Sequence, residues 1–255
     1  MPTQEELREI TENLNAMSIS IDGTFNFSCS GCGNCCKHRE DILLNARDIF
    51  NIAKQLGMTT AKVQQQYGDT YIGQSSRIPV IRLAPKGPQR ICPMLVGNRC
   101  KVHAAKPIVC ALFPLGRYIA CENEKGSLSD SKTEIGYVLM PTACGDKHTI
   151  TVRSWLDSFG IPVEDPFFIS WHECVLAIGG LLKRMEEQQL PLKGVRWLQR
   201  VFEHLLYLEY DTKEEFLPQF EANKGFLIQL IAKLQNSPAG IEGALEHLIK
   251  TQGGN

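Results

Sequence analysis

The chain has 255 residues, 43% of them hydrophobic and 22% charged, and a formal net charge of -1. That composition supports a buried core and excludes wholesale disorder. The near-neutral charge excludes the broad basic face that nucleic acid or an anionic membrane selects, so neither partner is expected.

Taken in chain order, residues 1–14 are polar and acidic, with Gln4, Glu5, Glu6, Arg8 and Glu9. They lack the basic-then-apolar order of a secretory signal. A short amphipathic helix and a connector are predicted over residues 1–22. The Gly- and Cys-rich stretch at 28–37 is unsuited to regular helix and predicts a loop built around ligands. From Asn45 onward, Ile49, Ile52, Ala53 and Leu56 recur at helical spacing, with Asn45 as the start signal and Gly57 as the stop. Thr59 or Thr60 opens a second short helix that ends at Tyr67.

Residues 76–83 are β-branched with partial alternation and are broken by Lys86-Gly87-Pro88, which predicts an edge strand and a turn. Gly136–Met140 predicts another short strand, stopped by Pro141. Beyond Thr151 the helical signal dominates, with a short helix at 154–159 and long ones at 171–189, 194–210, 213–234 and 238–250. The longest apolar stretches, such as Val175–Leu182, fall far below the roughly 20 residues that a membrane span needs. A cytoplasmic location is therefore expected.

The expected fold is mainly α, with a loop-rich, metal-stapled cysteine domain and a few short strands. The segments are 1–22 (N-terminal helix and connector), 23–160 (cysteine-cluster domain) and 161–255 (α-helical region). The C-terminal helices offer faces to a possible protein partner, although core packing is the plain reading of their apolar stripe at Trp197, Val201, Leu205 and Leu208.

Ten cysteines without an export signal point to metal ligation, because cytosolic thiol pools oppose disulfides. The strongest signal is Cys29-x2-Cys32-x2-Cys35-Cys36. A two-residue spacer aims two sulfurs at one ion, and Gly31 and Gly33 supply the backbone freedom for the turn. The adjacent Cys35 and Cys36 point in different directions in a regular element, so one of them can serve a second ion or none. The second group is Cys92, Cys100, His103 and Cys110, and Cys144 is the candidate eighth sulfur. Cys121 and Cys174 stand alone.

A structural zinc takes four ligands, so these cysteines exceed one mononuclear site. Two ions, or an iron–sulfur cluster with cysteines left over, satisfy the count. Thiolates suit both metals, and zinc and iron stay open as cofactors. Four thiolates around a divalent ion leave a charge of about -2, which Lys37, Arg39, Arg90, Arg99, Lys101 and Lys106 are placed to offset.

These motifs resemble the CxxCxxCC family of zinc- or iron-chelating domains, also called YkgJ-like cysteine-cluster proteins. The resemblance covers roughly residues 25 to 160 and rests on CSGCGNCC at 29–36, LGM at 56–58, CPML at 92–95 and CKVHAAKPIVCALFP at 100–114. Cys144-Gly145 and the TVRSWL run at 151–156 extend it. Relatives often carry Tyr at the position of His103, which favours an all-cysteine site, and Arg at the position of Ala111. The metal ligands it implies are Cys29, Cys32, Cys35, Cys36, Cys92, Cys100, Cys110 and Cys144.

Three functions follow as expectations. The first is a metal-binding protein with a structural or electron-transfer role. The second is a metal-dependent enzyme, since one branch with this cysteine pattern comprises flagellin lysine N-methylases; no catalytic residue is identified for it, and the chain has no glycine loop for S-adenosylmethionine. The third is a metal-stapled protein-interaction module.

Overall fold

The computed structural model describes residues 3–29, 31–121, 133–142 and 148–252. The architecture is mainly α with small antiparallel sheets, as the sequence predicts. The chain forms two compact units, one of Met1–Ile42 with Pro85–Ile169 and the other of Leu43–Ala84 with Ser170–Asn255.

The first unit opens with the helix Gln4–Met17, where Thr3 and Glu6 form a capping box that satisfies the first backbone N–H groups. Ser18–Ile19 then pairs with Thr133–Leu139, which pairs in turn with Leu115–Cys121. A second ribbon joins Thr24–Asn26 to Thr149–Thr151, with Phe25 opposite Ile150. Of these strands only the one near Gly136–Met140 is expected from the sequence; Ser18–Ile19, Thr24–Asn26 and Thr149–Thr151 are too short to carry a pattern, and the seven-residue Leu115–Cys121 is a strand that the sequence reading missed.

Between the ribbons lies a core of Phe25, Phe27, Leu112, Leu115, Tyr137, Val152, Trp155 and Leu156. Trp155 sits edge-on to Phe27, Phe159 and Phe25, at ring-centroid distances of 5.3, 5.2 and 6.2 Å. Its indole N–H donates to the Leu112 carbonyl at 3.1 Å. Near this core an ion pair is fully buried. Arg117 bonds Asp165 at 3.1 Å with the two side chains 4% and 1% exposed, and the guanidinium lies 3.8 Å over the Phe168 ring.

In the second unit, Asn45 and Asp48 form the capping box of the helix Ala46–Leu56, and Gly57 closes it in the left-handed region at φ 62°. Thr59 caps the helix Thr60–Tyr67. The strand Pro79–Leu83 is not at an edge, as its sequence suggests, but in the middle of a sheet, between Leu43–Leu44 and Gly68–Ile72. Proline is tolerated there because Pro79 is the first residue of the strand, where the loss of one N–H costs little.

The long helices end at Glu187, Glu203, Gln235 and Gln252. The helix Leu192–Glu203 passes into a π turn at His204–Leu208, and Asn223 donates to the carbonyls of Leu205 and Glu209 at 3.1 Å each. That wider turn leaves carbonyls without regular partners, and the amide supplies them.

Burial gives this unit a pH dependence. It pushes the Cys174 thiol up to about 12, and it raises the phenols of Tyr207 and Tyr210 above their ordinary values. The folded state therefore holds protons that the unfolded chain releases near the ordinary thiol and phenol values of about 8.5 and 10. Stability present below pH about 8.5 is lost as pH climbs towards 12. Urea unfolding at pH 8 and pH 10.5 should give a clearly lower midpoint at the higher pH, and Cys174→Ala should flatten the difference. Equal midpoints in the parent protein would contradict this account.

Candidate metal centre

The first cysteine group lies in a loop whose shape depends on two glycines. Gly31 and Gly33 sit at φ 68° and 72°, the left-handed region that side-chain-bearing residues avoid. Gly33 leads into a single 3-10 turn, Asn34–Cys36, and the Leu95 side chain and Asn98 backbone pack close to it. Cys29 is exposed, whereas Cys32, Cys35 and Cys36 are half-buried.

The second group stands on three short elements. Cys92 precedes a hairpin of Leu95–Val96 and Arg99–Cys100, in which Leu95 pairs with Cys100. Cys110 lies on the helix Ile108–Leu112, which Pro107 starts and the Trp155 bond to Leu112 fastens to the core. Two backbone bonds join the groups: Cys92 N–H donates to the Cys36 carbonyl at 2.8 Å, and His38 N–H to the Gln89 carbonyl at 3.1 Å.

Cys35 and Cys36 are in sulfur–sulfur contact at 3.9 Å. A hydrogen bond from Cys36 lowers the Cys35 thiol to about 6 against the cost of burial, and the charges of Lys106 and Arg39 add to the effect. Cys36 moves the other way, raised by that same bond, by burial and by the charges of Cys35, Cys92 and Cys110. Burial raises Cys92, which also feels Cys100 and Cys35. Cys100 is raised by burial as well, while Lys106 acts to lower it. Cys35, Cys36, Cys92, Cys100 and Cys110 are thus near enough for their charges to be felt across both groups.

The cations are themselves held in place. Lys106 lies 4.0 Å over the Phe159 ring, Arg39 forms two bonds to Asp41, and Arg90 bonds Glu40 at 2.9 Å.

The sulfurs are gathered but not closed. Among the described residues, no three Cys, His, Asp or Glu side chains are arranged to hold one metal ion. A rotamer change swings a cysteine sulfur by about 3 Å. The donor chemistry fits a soft or borderline metal, because half-buried thiolates beside Lys106 and Arg39 are suitable ligands for zinc or iron. No disulfide forms among the described cysteines.

His103 lies exposed in the turn His103–Ala105, its ring 6.5 Å from that of Phe159. Cys174 is buried in a helix of the second unit. Cys144 falls outside the described residues, as does the side chain of Cys121. The roles of Trp155 and Phe159 in holding the Cys110 helix and Lys106 escape a search for ligands; their signal in the sequence is the tryptophan of the TVRSWL run with Phe159 just after it.

Among the described residues, no helix is long and apolar enough to cross a membrane. No curated protein and no solved structure matches the chain. A family model does: residues 28–144, the stretch that holds both cysteine groups, match the model of the CxxCxxCC family, described as "Putative zinc- or iron-chelating domain".

Proposed function

We propose that this protein holds zinc or iron through the thiolates of Cys29, Cys32, Cys35, Cys36, Cys92, Cys100 and Cys110, with Cys144 as a further donor, and that the bound metal has a structural or electron-transfer role. The observation that carries the reading is the junction of the two groups. The Cys92–Cys36 backbone bond brings together sulfurs that lie far apart in the sequence, and basic side chains stand beside them. Thiols of this kind persist in a reducing compartment, which supports a cytoplasmic location. No observation favours the group-transfer enzyme over this reading.

The test is anaerobic purification followed by elemental analysis and a visible spectrum. Bound zinc, or iron with a thiolate or cluster chromophore, is the expected result. A folded protein that stays metal-free and colourless after incubation with zinc, or with iron and sulfide, would remove the proposal.

A further inference from the structure

We infer that Cys35 and Cys36 bind the same ion, as one edge of a mononuclear, tetrahedral thiolate site. This rests on the metal-binding reading above and sharpens it, because a shared ion separates this site from a [4Fe–4S] cluster.

The argument is geometric. Two sulfurs bound about 2.3 Å from one ion at the tetrahedral angle lie about 3.8 Å apart. The Cys35 and Cys36 sulfurs are 3.9 Å apart. Adjacent side chains in a strand or an extended loop diverge, and nothing in the spacing Cys35-Cys36 asks their sulfurs to meet. In the 3-10 turn Asn34–Cys36, entered through the left-handed Gly33, the two sulfurs nevertheless meet. In a [4Fe–4S] cluster, by contrast, each cysteine binds its own iron, so the sulfurs occupy separate corners, wider apart than the edge of one tetrahedron.

The surroundings suit one ion at this edge. The Cys36 carbonyl is anchored by the Cys92 N–H, which fixes the turn against the second group. Cys92, Cys100 and Cys110 act electrostatically on one or both members of the pair and are the candidates for the remaining ligands. Lys106 and Arg39 lie near enough to offset the negative charge of a thiolate site.

The experiment uses the full-length protein, reduced, stripped of metal and titrated anaerobically with cobalt(II) as a spectroscopic stand-in for zinc. Tetrahedral cobalt bands with thiolate-to-metal charge transfer are expected. Cys35→Ser and Cys36→Ser should each lower the charge-transfer intensity by about a quarter, one ligand of four. Each should also weaken binding by more than the roughly 10- to 100-fold that follows loss of an outer-shell partner. If either variant alone binds cobalt with an unchanged spectrum and affinity, the shared edge is wrong.

A second measurement needs no variant. Alkylation of the unaltered protein during zinc addition, read by mass spectrometry, should show Cys35 and Cys36 becoming protected together at the same zinc equivalent. Protection of one while the other stays reactive overturns the inference. A protein that refuses tetrahedral cobalt but takes up iron and sulfide, with metal–metal scattering in X-ray absorption, overturns it too and leaves the metal-binding proposal standing. Failure to bind any of these metals sinks both.

Discussion

Replacing Trp155 with alanine is expected to destabilise the unit that carries the cysteines by about 3–5 kcal/mol, the usual cost of truncating a buried large aromatic residue. Trp155 is 7% exposed and meets three other aromatic rings edge-on. Each such pair contributes about 0.5–1.5 kcal/mol beyond its buried area. The indole also bonds Leu112 on the short helix that carries Cys110, so the loss should reach the candidate site. Urea unfolding followed by circular dichroism reads the stability, and metal content after gel filtration reads the site. Trp155→Phe keeps most of the packing but leaves the Leu112 carbonyl without the indole, at a cost of about 1–3 kcal/mol. An alanine variant within about 0.5 kcal/mol of the parent, the range of surface substitutions, would show that the indole does not organise this core.

Asp165→Ala should be comparably severe, at about 3–5 kcal/mol, because it strips a carboxylate from a guanidinium only 4% exposed. The Phe168 ring beneath Arg117 does not replace that charge. A buried pair is costly to break and much less costly to replace as a whole. Joining Arg117→Met to Asp165→Ala should therefore recover most of the loss, a pattern that a simple packing defect cannot give. The comparison needs three unfolding curves: parent, single and double variant. If the double variant is no more stable than Asp165→Ala, the penalty is not the stranded charge.

Local chemistry made much of this protein legible in its sequence. Asn45 and Gly57 bound a helix because a side-chain oxygen satisfies early N–H groups and glycine alone enters the left-handed region without strain. Gly31 and Gly33 marked the bend of the cysteine loop for the same steric reason, and both take positive φ. The density of cysteines pointed to the segment that the chelating-domain family model matches, since a thiol spacing is a property of a few neighbouring residues.

Three features were beyond that reach. The pairing that puts Pro79–Leu83 in the middle of its sheet depends on a two-residue strand, Leu43–Leu44, too short to carry a pattern. The Trp155–Leu112 bond joins residues 43 apart, for which no local rule exists. The contact between Cys35 and Cys36 turns on side-chain rotamers in one 3-10 turn, whereas their adjacency in the sequence argues for divergence. Sequence by itself thus determined which donor atoms the protein owns and where its chain must bend, because sterics and hydrogen bonding act within a few residues. Tertiary structure alone decided which of those sulfurs face one another, because that depends on packing between segments with no spacing in common.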